Sequence, residues 1–369
     1  MSTEVTGPMT SPLLARPGAV AADGPDAGVA AHYGDPMREQ RRLLAGEAIV
    51  DLSHREVLSV AGVDRLRWLH SMTTQHLVDA AAGESIETLV LSPKGHIEHA
   101  LHLVDDGSTT WITVEPGSAA TLLAWLESMR FMLRVEVLDR TGEYAVLAGV
   151  PSAATAELAS HAVAVWTDPW PGLVGDTTAY GPVEGHPAAD WRWCEWVVPR
   201  ADLVAIVGDR ALAGVWAAEA LRVAAWRPRA GFDTDSRTIV HELDWLRSAV
   251  HLHKGCYRGQ ETVARVHNLG RPPRRLVFLH LDGSGHVLPE RGEPVLLDGR
   301  AVGVLTSVAR HYEQGPIGLA VVKRSTPVDA ELAVGDVSAA QTVVVDPGDS
   351  PVRRQVPRKI SRPSATMGQ

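Results

Sequence analysis

One short segment gathers the side chains best able to do chemistry: residues 253–261 have the sequence His-Lys-Gly-Cys-Tyr-Arg-Gly-Gln-Glu. The thiol of Cys256 lies between the cations Lys254 and Arg258 in the sequence. Neighbouring positive charge favours the thiolate, which is the nucleophilic and metal-binding form of cysteine. The alternative is a glycine-rich loop around a buried, inert cysteine, since free cysteines are most often buried. The spacing of the residues alone leaves both interpretations open.

Composition limits the functions that this segment can serve. A net charge of −9 argues against a general nucleic-acid binder, because neutralising phosphates requires a basic surface. The two cysteines, Cys194 and Cys256, are too few for a disulfide framework or for a complete zinc or iron–sulfur site, which takes about four ligands. We expect a cytoplasmic protein, because no apolar run reaches the ~20 residues of a membrane span and the N-terminus does not resemble a secretory signal.

The elements that must position the segment follow a repeated local plan of a strand, a tight turn and an amphipathic helix. Strands are predicted at Glu56–Val60, Trp111–Val114 and Leu203–Val207, and after each of them apolar residues recur every three or four positions. Beyond residue 271 short strands alternate with turn signals, among them the hairpin signal Asp298-Gly299. These patterns predict an α+β fold followed by a C-terminal antiparallel β-barrel.

The same patterns divide the 369 residues into four parts. Residues 1–30 are expected to form a flexible N-terminal extension, because they are rich in Ala, Gly and Pro. Residues 31–270 are expected to form the α+β region, as two interleaved modules, and residues 271–348 the β-barrel. Residues 349–369 are expected to form a basic, disordered tail.

The cysteine segment also carries a resemblance to a known family. The pattern Lys-Gly-Cys-Tyr-x-Gly-Gln-Glu, at Lys254–Glu261, resembles the signature of the YgfZ/GcvT-like folate-binding family. Asp51–His54 resembles the N-terminal part of the wider aminomethyltransferase superfamily, and Gly292–Val295 with Gly303–Ser307 resembles its C-terminal barrel. The resemblance covers roughly residues 31–345.

The resemblance implies a ring of three modules, two of them α+β and ferredoxin-like in part, around a hole that holds tetrahydrofolate or a one-carbon derivative. It also implies an accessory role in the assembly or repair of iron–sulfur enzymes, including those that thiolate tRNA, with assembly factors or client enzymes as partners. Cys256 and Lys254 then carry the chemistry, with Cys256 as a transient cluster ligand or a carbon-unit acceptor. The remaining residues assigned to folate binding are Tyr257, Gln260, Glu261, Arg265, Trp191 and Glu242.

Two departures from the aminomethyltransferases separate the possible functions. His99-Ala100 occupies the place of their Asp-Asp pair, and Ala189-Asp190-Trp191 falls in the place of a Thr-Gly-Glu segment whose carboxylate holds the pterin. A tryptophan can stack on a pterin but cannot replace a carboxylate. Aminomethyl transfer by the usual route is therefore not expected. A tetrahydrofolate-dependent one-carbon transferase is the alternative function, and a scaffold in which Cys256 is structural is the third.

Overall fold

The computed structural model describes residues 9–348, so the predicted tail at 349–369 and the first eight residues of the predicted extension lie outside the described residues. The chain begins with an antiparallel pair of short strands, β1 (Val20–Ala21) and β2 (Ala30–His32), and the helix α1 (Pro36–Leu44). Within the described range no helix is long and apolar enough to cross a membrane.

The prediction of a flexible extension is wrong for residues 9–30, which pack onto the rest of the protein. Leu13 is 1% exposed in a core shared with Ile49, and the Ser11 hydroxyl donates a 2.5 Å hydrogen bond to Asp51. Asp26 is buried against Arg229 at 2.7 Å. These few buried residues hold the segment in place, although its overall composition is typical of a loop.

The first sheet carries the first two predicted strand–turn–helix units. Its strands are antiparallel in the order β5-β6-β7-β4-β8, and the helices α2 and α3 share one hydrophobic core with it. Helix α3 ends at Ser128. The elements of this region, together with one strand of the next sheet, are β3 (Ala48–Asp51), β4 (Glu56–Ala61), α2 (Arg65–Met72), β5 (Ser85–Leu91), β6 (Ile97–Asp105), β7 (Thr109–Val114), α3 (Ala119–Ser128) and β8 (Glu136–Asp139).

The second sheet has the order β10-β11-β9-β3-β12, and its β3–β12 pair is parallel. Its elements and the helices that follow are β9 (Tyr144–Gly149), α4 (Leu158–His161), β10 (Ala164–Thr167), β11 (Cys194–Pro199), α5 (Leu203–Val207), β12 (Ala211–Ala213), α6 (Val215–Ala224), α7 (Leu246–Ala249) and α8 (Gln260–Leu269). The strand predicted at Leu203–Val207 is the helix α5, which buries Leu203, Ile206 and Val207 at helical spacing. A short apolar run does not distinguish a strand from a helix, and here the strand follows at β12.

The C-terminal strands close into an antiparallel barrel, as the sequence predicts. The strand order is β13-β16-β15-β14-β17-β18, and the inner side chains form one apolar core. The α+β fold with a C-terminal antiparallel barrel is therefore confirmed, although the short strand β17 was not predicted. The barrel strands are β13 (Arg274–Leu281), β14 (Pro294–Leu297), β15 (Arg300–His311), β16 (Gly315–Lys323), β17 (Glu331–Val334) and β18 (Val337–Val343).

Candidate functional site

A central cavity of about 60 Å³ lies where the two sheets, helix α6 and the segment after α6 meet. Its walls combine buried charges of both signs with three tryptophans, an arrangement suited to binding a polar heterocycle. These wall residues are Arg55, Arg222, Arg227, Arg229, Glu115, Asp168, Glu195, Glu219, Trp191, Trp193 and Trp245.

One guanidinium nitrogen of Arg227, a residue of this wall, has no hydrogen-bond partner among the described residues. Its Nε donates to Asp168 at 2.9 Å and its Nη2 donates to Glu87 at 2.6 Å. Its Nη1 is buried and has no partner among the described residues. An unpaired buried donor costs free energy, commonly about 1–3 kcal/mol, so this nitrogen is suited to bind an acceptor on a ligand or an ordered water.

Trp191 is the one predicted folate-binding residue that the structure places in the central cavity. Its ring stacks on Trp193, with centroids 5.1 Å apart and planes 8° from parallel. Its Nε1 donates to Asp168 at 2.9 Å, so the indole is held from its face and from its edge. A half-buried, oriented indole in a cavity wall provides a surface on which an aromatic ligand can stack.

A side cavity of about 330 Å³ adjoins the central one, and Ala100, Glu115 and Ala230 line both. His99 also lines the side cavity, and its Nδ1 is buried without a hydrogen-bond partner among the described residues. Burial, assisted by the charge of Arg258, lowers the pKa of His99 to about 4. The two cavities together are called the cleft below.

The structure gives Lys254 a different role from the one that the sequence suggested. Its ammonium donates hydrogen bonds to the carbonyl oxygens of His70, Thr73 (2.5 Å) and Gln75 (3.1 Å). These carbonyls lie in the last turn of α2 and in the residues directly after it, so Lys254 ties the cysteine loop to the first sheet module. Burial lowers the pKa of Lys254 to about 7. The side chain of Tyr257 is buried beside it, with the ammonium 5.1 Å from the ring centroid.

Cys256 itself is exposed, which disfavours the interpretation of a buried, inert thiol. Its other cationic neighbour, Arg258, forms an ion pair with Glu98 at 3.0 Å. Glu98 lines the side cavity, so this pair connects the cysteine loop to the cleft. The charge of Arg258 is thus balanced by Glu98, whereas the Lys254 ammonium is bound by neutral backbone carbonyls.

The other residues assigned to folate binding lie outside the walls of the cleft. Gln260 and Glu261 start helix α8, and Arg265 is exposed further along it. Glu242 is 1% exposed and binds Arg274 through both carboxylate oxygens, at 2.9 and 2.8 Å. Of the residues proposed from the sequence, only Trp191 lines the cleft, the cysteine loop reaches it only through the Arg258–Glu98 pair, and the central charges were not anticipated.

The missed residues are far apart in the sequence, and none belongs to a recognisable motif. Arg227 and Arg229 flank Pro228 directly after helix α6, whereas Asp168 and Glu195 flank a long irregular segment. The sequence does contain one indication of these residues: they are charged side chains within apolar stretches that are otherwise typical of a buried core. Among residues 9–348 no group of three or more His, Cys, Asp or Glu side chains is arranged to hold a metal ion.

Comparisons with known proteins agree with this architecture. Residues 274–356 match the model of the glycine cleavage T-protein C-terminal barrel domain. The structure resembles the glycine cleavage system aminomethyltransferase T from Bartonella henselae with a TM-score of 0.71 and 19% identity, covering 91% of this chain and 95% of that one. The chain therefore has an aminomethyltransferase-like fold.

Two curated proteins are similar in sequence. The chain is 26% identical over 303 residues to the "Putative transferase At1g60990, chloroplastic" of Arabidopsis thaliana, a match that covers 76% of this chain and 66% of that protein. It is 24% identical over 294 residues to the aminomethyltransferase of Chromobacterium violaceum, covering 75% of this chain and 78% of that protein. The chain thus spans slightly less than two thirds of the Arabidopsis relative.

Proposed function

We propose that this protein, with its aminomethyltransferase-like fold, binds tetrahydrofolate or a one-carbon derivative in the cleft. The observation that carries the proposal is the unpartnered Nη1 of Arg227 in the wall that also presents Trp191. A pterin offers a carbonyl oxygen to such a donor and an aromatic face to such an indole.

The size of the cleft agrees with this ligand only when both cavities are taken together. The central cavity alone, at about 60 Å³, is too small for a fused bicyclic ring. The side cavity, at about 330 Å³, reaches the range of small-molecule sites, roughly 300–1,000 Å³. Glu115 borders both cavities and can accept hydrogen bonds from the amino and ring N–H groups of a pterin.

In our proposal the protein supports the assembly or repair of iron–sulfur enzymes, and Cys256 is the group that it presents to them. The thiol is exposed on a loop fixed by Lys254 and joined to the cleft through the Arg258–Glu98 pair. Since one cysteine cannot hold a cluster alone, the remaining ligands would come from a partner protein. Folate binding and thiol presentation would then be neighbouring functions of the same molecule.

A calorimetric titration with tetrahydrofolate and its one-carbon derivatives tests folate binding. Trp191→Leu should weaken binding about tenfold, since stacking and packing of an aromatic ligand are worth roughly 1–1.5 kcal/mol. The matched control is Trp216→Leu, at a 54% exposed tryptophan outside the cleft, which should leave affinity unchanged. Failure of every tetrahydrofolate form to bind the wild-type protein, or equal weakening by both variants, would refute the proposal.

The alternative is a tetrahydrofolate-dependent one-carbon transferase, which the names of the two curated relatives favour. Against it, the strand β6 presents His99 and Ala100 to the cleft where the sequence comparison places the carboxylate pair of the aminomethyltransferases. A turnover assay with methylene- and methyl-tetrahydrofolate separates the two functions. Conversion of many equivalents per protein supports a transferase, whereas binding without turnover supports the accessory role.

A further inference from the structure

The interior of the C-terminal barrel changes from apolar to polar at one end. Val277 and Leu279 of β13 belong to the apolar core of the barrel, and Arg275 continues the same two-residue spacing. Its partner across the β13–β16 pair is Val322, another member of that core. The side chain of Arg275 therefore lies on the inner face of the barrel, and the residue is 0% exposed.

Two neutral groups hold the guanidinium of Arg275. Its Nη2 donates to the carbonyl oxygen of Thr326 at 2.9 Å and to Oε1 of Gln341, on β18, at 3.0 Å. The amide nitrogen of Gln341 in turn donates to the carbonyl oxygens of Pro327 at 2.8 Å and Ala330 at 3.1 Å. These bonds fasten the connection between β16 and β17 to the end of the barrel, and they fix the orientation of the guanidinium.

Three polar atoms at this end of the barrel lack a hydrogen-bond partner. They are Nε and Nη1 of Arg275 and Oγ1 of Thr326, all buried and all without a partner among residues 9–348. Thr326 is 4% exposed, so its hydroxyl, like the guanidinium, is shielded from bulk water. Because the Thr326 carbonyl accepts a bond from Arg275, the two residues are in direct contact and their unpartnered donors lie close together.

Arg275 is also a buried positive charge whose hydrogen-bond partners in residues 9–348 are all neutral. A guanidinium stays protonated in proteins, and buried charges are ordinarily paired. Burial lowers the pKa of Arg275, and Asp346 opposes this through its charge, while its carboxylate accepts a 2.7 Å bond from the Gly348 backbone. The buried Arg222, by contrast, has an ion pair with Asp233 at 2.8 Å. An anion would supply Arg275 with both the missing charge and the missing acceptor.

We propose that a small monovalent anion, of the size of chloride, binds at this end of the barrel between Nε and Nη1 of Arg275 and the hydroxyl of Thr326. The guanidinium presents its N–H donors in a fixed fork, and the hydroxyl can rotate to donate a further bond. A monatomic anion is favoured because all three donor atoms are closed to solvent. The anion would neutralise Arg275 and stabilise the β16–β17 connection, and this role does not depend on folate binding.

The first test compares the melting temperature of the full-length protein in sodium chloride and in sodium gluconate at the same ionic strength. At about 100 mM salt the melting temperature should be about 5 °C higher in chloride, since an ion that binds only the folded state stabilises it by mass action. Equal ionic strength keeps the screening of surface charges the same, and gluconate is too large for a closed site. Bromide should replace chloride.

Two variants and their controls locate the effect. Arg275→Met removes the charge and should abolish the difference between the two salts, whereas Arg300→Met, at an exposed arginine of β15, should retain it. Thr326→Val is nearly isosteric and removes one donor, so it should reduce the difference even if Arg275→Met does not fold. Its control is Ser325→Ala, at an exposed serine of the same connection, which should behave as the wild-type protein does.

Crystals of the protein grown in sodium bromide identify the bound group directly. The anomalous scattering of bromide should give a peak within hydrogen-bonding distance of Nε and Nη1 of Arg275. Absence of that peak would overturn the proposal, and so would equal melting temperatures in chloride and gluconate, because the donors would then be satisfied by water. A chloride effect that is unchanged in both Arg275→Met and Thr326→Val would overturn it too, since the ion would act elsewhere on the protein.

Discussion

Trp191 and Arg227 are held by the same atom: the indole Nε1 and the guanidinium Nε both donate 2.9 Å hydrogen bonds to Oδ2 of Asp168. One buried carboxylate oxygen thereby orients both groups that we propose for ligand binding. Asp168 is thus a positioning residue, since it acts through its two donors. A ligand in the cleft meets an indole and a guanidinium that are already oriented, which reduces the entropy lost on binding.

The first prediction follows from this shared acceptor. Asp168→Asn keeps the shape of the side chain but removes the charge that holds Arg227, so tetrahydrofolate affinity should fall about tenfold, as for loss of one charge-assisted hydrogen bond. Intrinsic tryptophan fluorescence should also change, because the Trp191 indole loses its fixed partner. The control Asp336→Asn, at an exposed barrel position, should change neither property. Unchanged affinity in Asp168→Asn, with a native melting temperature, would contradict this role.

The second prediction concerns Lys254 and stability. Lys254→Met removes the ammonium that binds three backbone carbonyl oxygens, and it should lower the free energy of unfolding by about 2–3 kcal/mol. Lys94→Met, at an exposed lysine in the turn between β5 and β6, should lower the free energy of unfolding far less. Chemical denaturation of both variants measures the difference. If both variants lost the same small amount of unfolding free energy, the Lys254 contacts would contribute little to stability.

The contrast between Lys254 and Trp191 shows what the sequence could predict about the site. The signature singled out the loop, because eight consecutive residues carry the pattern, but it did not show that the Lys254 ammonium binds backbone carbonyls at the end of α2. Arg227 and Asp168 meet only through the tertiary fold, so no local spacing could predict their contact. Likewise, periodicity located the barrel strands but mistook α5 for a strand, because five apolar residues fit either element.

The third prediction compares the two thiols. Cys256 is exposed, whereas Cys194 is buried with its sulfur 3.1 Å from the Thr167 hydroxyl oxygen, and burial raises the pKa of Cys194. Iodoacetamide at neutral pH should therefore label Cys256 at least about tenfold faster, since Cys256 is accessible while burial both shields Cys194 and disfavours its thiolate. Mass spectrometry of the labelled peptides gives both rates, and Cys256→Ser should abolish the fast phase. A fast phase on Cys194 would show that the second sheet opens in solution.

A related result separates the accessory role of Cys256 from a structural one. Cys256→Ser is nearly isosteric at an exposed position, so its melting temperature should match that of the wild-type protein. In cells that lack the native gene, the variant should fail to restore iron–sulfur enzyme activity. Full restoration by Cys256→Ser would remove the thiol from the proposed function, although folate binding would remain open to the titrations above.

The fourth prediction concerns His99 and acid stability. Burial and Arg258 lower the pKa of His99 from its ordinary value of 6.5 to about 4, so the folded state binds fewer protons than the unfolded state between these pH values. Stability is therefore lost as the pH falls from about 6.5 to about 4, by up to ~3 kcal/mol for this group. His99→Asn should flatten that part of the pH profile, and His161→Asn, at an exposed histidine, should not. Parallel profiles for wild type and His99→Asn would contradict the assignment.

The last prediction concerns Asp26, which fastens the N-terminal segment to the site. Asp26 is paired with Arg229 at 2.7 Å and with His54 at 3.0 Å, and Arg229 also binds Glu115 and Glu219. Burial raises the pKa of Asp26, but the charge of Arg229 and the bonds to both partners outweigh it and hold the pKa well below its ordinary value. The stability that Asp26 contributes is therefore present above pH ~4 and is lost as the pH falls below that value.

Asp26→Asn should accordingly lower the free energy of unfolding by about 2–3 kcal/mol at neutral pH. This is less than the full cost of breaking a buried ion pair, because Arg229 keeps two other carboxylates. Asp23→Asn, at an exposed position on the same segment, is the matched control and should be nearly neutral. The difference between the two variants should narrow when unfolding is measured near pH 3, where the Asp26 carboxylate of the unfolded protein is becoming protonated while that of the folded protein stays ionised. If Asp26→Asn were as stable as Asp23→Asn at neutral pH, the N-terminal segment would not be anchored through this pair.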